Sequence, residues 1–123
     1  MILALAVAVA GGIGATARYV VDGLVQDRTS GTFPFGTLVV NVAGSLVLGF
    51  VTGLGLDHGL SGTARAVVGV GFCGGLTTWS TATWETVRLA EDGQAARALV
   101  NGLGGLVVAL AAAAAGLALA AFV

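Results

Sequence analysis

An all-α membrane protein with four transmembrane helices, the third broken near its middle, is the fold class this sequence predicts. Three observations carry that prediction. Only 9% of the 123 residues are charged while 57% are hydrophobic, against about 25% charged in a soluble domain. The charged residues cluster, and the clusters divide the chain into four apolar stretches. One of those stretches carries Gly71-Phe72-Cys73-Gly74-Gly75-Leu76-Thr77-Thr78-Trp79-Ser80-Thr81 at its centre, where paired glycines and a run of hydroxyls both work against an uninterrupted helix.

The elements follow in order. Residues 1–17 hold no side-chain charge, and Arg18, Asp22, Asp27 and Arg28 close the first span. Its start lacks the basic segment of a secretory signal, so it reads as a retained helix. A second uncharged run from Thr29 to Leu56 opens on the turn signal Gly31-Thr32-Phe33-Pro34 and closes at Asp57-His58. The third, Ala66 to Trp84, lies between Arg65 and Glu85, and the fourth begins after Arg97. A spanning helix takes roughly 17–25 apolar residues, so four fit and five do not. The expectation is one four-helix domain over 1–123, with approximate spans 2–22, 34–56, 65–86 and 96–122.

Four crossings put both termini on one side. That side carries Arg65, and the other carries Arg18, Arg28, Arg88 and Arg97. Cytoplasmic loops are enriched in Lys and Arg, which predicts that both termini face outward from the plasma (inner) membrane. Small residues four apart, Gly49/Gly53 and Gly71/Gly75, permit close helix approach, either within the chain or between subunits.

Several function classes drop out. A net charge of −1 with no basic cluster argues against nucleic acid. Cys73 is the single cysteine and reads as an inert buried thiol. Gly12-Ile13-Gly14-Ala15-Thr16-Ala17 follows an apolar helix rather than a strand, so it is no dinucleotide fingerprint. His58 beside Asp57 reads as solvated loop. No nucleophile–base pair or metal-ligand cluster suggests an enzyme. Glu85 sits at a span's end, so a proton-coupled antiporter lacks its embedded acid.

What remains is polar chemistry at membrane depth. Thr37, Asn41 and Ser45 stand four apart on one helical face, and Asn41 offers both a donor and an acceptor near mid-span. Irregular backbone at such depth persists only where it is buried in protein or lines a wet path. The broken segment therefore offers carbonyls, amides and hydroxyls to ions. Arg18 either snorkels to headgroups or lines a vestibule that concentrates anions. Asn101 reads as a cap or a pore-mouth residue. Trp84 reads as an interfacial anchor.

Three motifs together resemble the small fluoride channel family (Fluc, or CrcB): Gly11-Gly12-Ile13-Gly14-Ala15-Thr16-Ala17-Arg18-Tyr19, Phe35-Gly36-Thr37-Leu38-Val39-Val40-Asn41-Val42-Ala43-Gly44-Ser45, and the stretch 71–81. The resemblance covers nearly the whole chain. It implies a passive channel that exports cytoplasmic fluoride, built as an antiparallel, dual-topology-type dimer with two narrow pathways and a central structural sodium ion. The sodium-binding carbonyls would come from Gly74 and Thr77. The fluoride path would take Asn41, Thr37, Ser45, Thr78, Ser80, Trp79 and Thr81, with Arg18 at the vestibule.

The chain departs from that pattern in one region. Where the family reads Phe-Ser-Thr-Phe, this chain reads Trp79-Ser80-Thr81-Ala82. In a gap-free register, Asn101, Gly105 and Ala109 stand where a Tyr and two Ser are usual. Degraded pore chemistry and an asymmetric arginine count both suggest one half of a heterodimer, its partner a homologous subunit in the opposite orientation. A homodimer and a non-conducting structural or regulatory subunit are the alternatives.

Overall fold

Glycine spacing and the placement of polar residues decide how the helices pair. The structure, a computed structural model, describes all residues 1–123. Its helices are α1 (Ile2–Arg28), α2 (Phe35–Asp57), α3 (residues 62–76), α4 (Trp79–Glu91) and α5 (Ala95–Ala120). Three of them, α1, α2 and α5, are long and apolar enough to cross a membrane singly. Two helices are wound wide in part: α3 is π-helical over Ala66–Cys73, and α5 over Val100–Gly104.

Where the sequence predicts a third span over 65–86, the helix stops at Leu76 and restarts at Trp79. Thr77 (φ −80°, ψ 159°) and Thr78 (φ −147°, ψ 123°) between them are extended. The first helix continues past residue 22 to Arg28, so Arg18 lies inside it rather than at its end. Pro34 precedes α2 directly, as a residue with fixed φ and no N–H donor can at a helix start.

Two glycine seams hold the bundle together. On the first, α1 lies against α3. A Cβ at Gly14 would overlap the Phe72 carbonyl and fall 2.9 Å from the Leu76 nitrogen. One at Gly71 would fall 2.8 Å from the Val7 carbonyl, and one at Gly75 would overlap the Gly11 carbonyl. On the second seam, α2 meets α5: Gly49 sits on Ala113, Gly53 on Leu117 and Ala120, and Gly116 on Leu46 and Phe50. Both glycine pairs noticed in the sequence are therefore used for packing within the chain, where backbones approach too closely for any side chain.

Polar ties close the two ends. Arg97 Nη1 donates to Thr32 Oγ1 (2.9 Å) and Gln94 Oε1 (2.7 Å), joining the loop before α2 to the turn before α5. At the other end, His58 Nε2 lies 2.8 Å from the Ala120 carbonyl. A carbonyl can only accept, so Nε2 carries the proton here. His58 thus anchors a loop to the last turn of α5, a role beyond the solvated loop its sequence context suggests.

Candidate functional site

The break is stitched to α2 by one side chain. Thr77 is the last residue of the α3 ladder, its N–H donating to the Cys73 carbonyl at 2.9 Å. The Thr78 N–H, which an unbroken α-helix would direct to Gly74, donates instead to Asn41 Oδ1 (2.7 Å). Asn41 Nδ2 donates to the Thr78 carbonyl (2.9 Å). A single amide therefore satisfies both polar groups of one peptide residue, which offsets the cost of unpaired backbone in apolar surroundings. Thr78 Oγ1 then caps α4, accepting from the Thr81 N–H at 3.1 Å.

The Thr77 and Thr78 carbonyls diverge, as successive extended residues require. The Thr78 carbonyl turns to α2, whereas the Thr77 carbonyl turns to α1, where Arg18 Nη1 lies 3.5 Å away. Arg18 is thus partly buried and directed at the break. Gly74 is exposed, has lost its α-helical donor to Asn41, and has no atom within 4 Å of where a Cβ would stand. The Gly74 and Thr77 carbonyls are neutral hard oxygens of the type suited to an alkali or alkaline-earth cation. They fit a sodium ion in donor type, and two oxygens from one chain leave the rest of its shell to another source. No cluster of His, Cys, Asp or Glu could hold a transition metal.

A groove of about 430 Å³ opens beside the break, between α2, α3, α4 and the first half of α5, with Gly74 and Thr77 among its lining residues. Five predicted path residues line it together: Thr37, Asn41, Ser45, Thr78 and Trp79. Ser80 and Thr81 do not. Thr81 Oγ1 accepts from Thr78 Oγ1 (2.9 Å), and Ser80 Oγ lies 3.4 Å from the same atom. These two hydroxyls support the turn at the start of α4. Arg18 also lies off the groove, on the α1 side of the break.

Sequence reasoning missed Thr83, Thr86 and Glu85. The first two line the groove. Their positions in α4, three residues apart and one and two turns beyond the break, were the available signal. Asn101 lines it as well. It caps no helix, since α5 starts six residues earlier, and Nδ2 donates to Thr86 Oγ1 (2.8 Å) and to the Ala82 carbonyl (3.2 Å). Glu85 is not at a helix end. The restart at Trp79 puts it two turns into α4, where Thr37 Oγ1 donates to Oε1 (2.8 Å) and Oε2 is buried without a partner.

Hydrogen-bond accounting separates what faces the groove from what can act there. Thr37 donates to Glu85, Thr77 to the Cys73 carbonyl, Thr78 to Thr81, Thr83 to the Trp79 carbonyl and Thr86 to the Ala82 carbonyl. Of the hydroxyls lining the groove, Ser45 alone makes no bond within the chain. Asn41 keeps one N–H beyond its bond to Thr78. On the α5 side, Gly105 and Ala109 face the groove and bring no donor side chain.

A family model described as "CrcB-like protein, Camphor Resistance (CrcB)" matches residues 5–117. A protein of Leifsonia xyli named "Fluoride-specific ion channel FluC 1" is 53% identical over 116 residues, covering 94% of this chain and 85% of the relative. "Fluoride-specific ion channel FluC 2" of Mycobacterium bovis is 47% identical, covering 84% and 79%. A FluC 1 of Streptomyces avermitilis is 43% identical, covering 85% and 84%.

Proposed function

The chain belongs to the CrcB family of small membrane channels, and from that premise we propose that it is a subunit of a passive, fluoride-selective channel that exports cytoplasmic fluoride. The observation that carries this reading is the groove at the break, where Asn41 and Ser45 present unspent donors between apolar helices. Fluoride is small and strongly hydrated, so passage needs convergent donors in place of its water. The family consists of channels rather than enzymes, and no residue set in this chain calls for a chemical step.

Two short helices, α3 and α4, act in this reading as one interrupted third crossing. A second, homologous subunit in the opposite orientation completes the path and the cation site. A sodium ion at the Gly74 and Thr77 carbonyls supplies a fixed positive charge that offsets bringing an anion into low dielectric. The chain's own part is to free those carbonyls: Asn41 takes the Thr78 N–H that a helix would direct to Gly74, and Thr78 Oγ1 takes the Thr81 N–H that a helix would direct to Thr77. Both termini face outward from the plasma membrane, with Arg18, Arg28, Arg88 and Arg97 toward the cytoplasm.

The α5 side of the groove favours a heterodimer with one degraded pore. Gly105 and Ala109 bring no hydroxyl, and Asn101 donates to groups of this chain. A non-conducting regulatory subunit would share that deficit. Fluoride efflux from liposomes separates the readings: little efflux is expected from this chain alone, and rapid efflux with a homologous partner. Rapid efflux from the lone chain would remove the need for a partner. No efflux in either case would favour the non-conducting subunit.

A further inference from the structure

Arg18 reaches the break because the α1–α3 seam puts it there. Gly11, Gly14 and Arg18 are spaced three and four apart, so they share one face of α1. Gly14 is pressed on the Phe72 carbonyl and the Leu76 nitrogen with no room for a Cβ. One turn farther along α1, the partly buried Arg18 brings Nη1 to 3.5 Å from the Thr77 carbonyl. That carbonyl belongs to an extended residue between two helices. It is also one of the two oxygens assigned above to a cation.

We propose that Arg18 is a tethered competitor for that cation: its guanidinium holds the Thr77 carbonyl in the free subunit and gives way when a monovalent cation binds there. The inference rests on the cation reading above. A guanidinium has several N–H donors and no acceptor, so it gives the carbonyl a hydrogen-bond partner. Two positive charges sharing one oxygen away from bulk water repel strongly, so the two occupancies exclude each other. The long apolar stem lets the displaced head swing out toward headgroups. Arg18 thereby keeps the break satisfied before assembly and lowers its affinity for the cation. It is a positioning residue, acting through the Thr77 carbonyl rather than on the anion.

The test is a sodium titration of the full chain copurified in detergent with a homologous partner subunit, followed by tryptophan fluorescence, with N-methylglucamine holding ionic strength constant. Trp79 adjoins the break and serves as the reporter. Half-saturating sodium is expected to fall about tenfold in Arg18→Gln, as one nearby like charge is removed. Arg18→Lys is expected to move a few-fold the same way, because its compact ammonium lacks the planar fork. It keeps the test decisive should the Gln variant fold poorly. Unchanged or higher half-saturation in the variants would overturn the proposal and assign Arg18 a supporting role. A flat response to sodium in every variant would overturn it too. Fluoride efflux from the same preparations then reports separately whether the channel reading stands.

Discussion

The two sides of the break are built from opposite materials. Toward α1 the contact is mostly backbone on backbone, with Gly14, Gly71 and Gly75 pressed on the main chain opposite and only the small Ala10 side chain between. Toward α2 it is side chain on backbone, with Asn41 bonding both polar groups of Thr78 and an open groove alongside. The first side fixes position and leaves no room for an added atom at Gly14, Gly71 or Gly75. The second tolerates substitution in volume but depends on the identity of each donor. Shape and chemistry have been assigned to different neighbours of one two-residue segment.

That contrast can be broken most severely at Gly14. Gly14→Leu would drive its side chain into the Phe72 carbonyl, and overpacking a seam this tight costs on the order of 3 kcal/mol. Loss of the folded species on size exclusion in detergent, and with it all efflux, is the expected result. A monodisperse, active variant would show that the seam can open.

Asn41→Ala should separate stability from function. Interhelical hydrogen bonds in membranes average about 0.6 kcal/mol, so losing two costs about 1 kcal/mol. Efflux with a partner is expected to fall more than tenfold while the thermal unfolding curve shifts only modestly. Equal losses in both would mean that Asn41 merely packs.

Substitutions at the groove's rim sharpen its chemistry. Thr37→Val would leave both oxygens of Glu85 without partners, at about 1–3 kcal/mol. Glu85→Gln would keep the acceptor for Thr37 and bring an N–H in place of the unpartnered oxygen, so its unfolding temperature should stay within the change expected for about 0.5 kcal/mol. A Glu85→Gln variant less stable than Thr37→Val would contradict the geometry of this pair.

Much of this was legible before any coordinates. The all-helical, apolar character follows from composition, and paired glycines beside threonines located the break because those residues disfavour an uninterrupted helix. The i, i+4 spacing of Thr37, Asn41 and Ser45 put them on one face, and all three reach the groove. The bonds within that face were not legible. Whether a hydroxyl is free depends on the carbonyl one turn behind it or a carboxylate across the groove, and spacing in a single helix encodes neither. Glu85 was misjudged for a related reason: counting from charge to charge treats a span as continuous, whereas the restart at Trp79 moves Glu85 to mid-helix. The role of His58 required knowing which ends of α2 and α5 meet.

Because the Thr77 and Thr78 carbonyls turn to opposite helices, neither can be retuned by substitution at those two positions without disturbing the other. Evolution is left with two independent dials outside the segment, one at Arg18 and one at Asn41. Relatives that differ in how tightly they retain a cation should vary around the first, and those that differ in halide preference around the second.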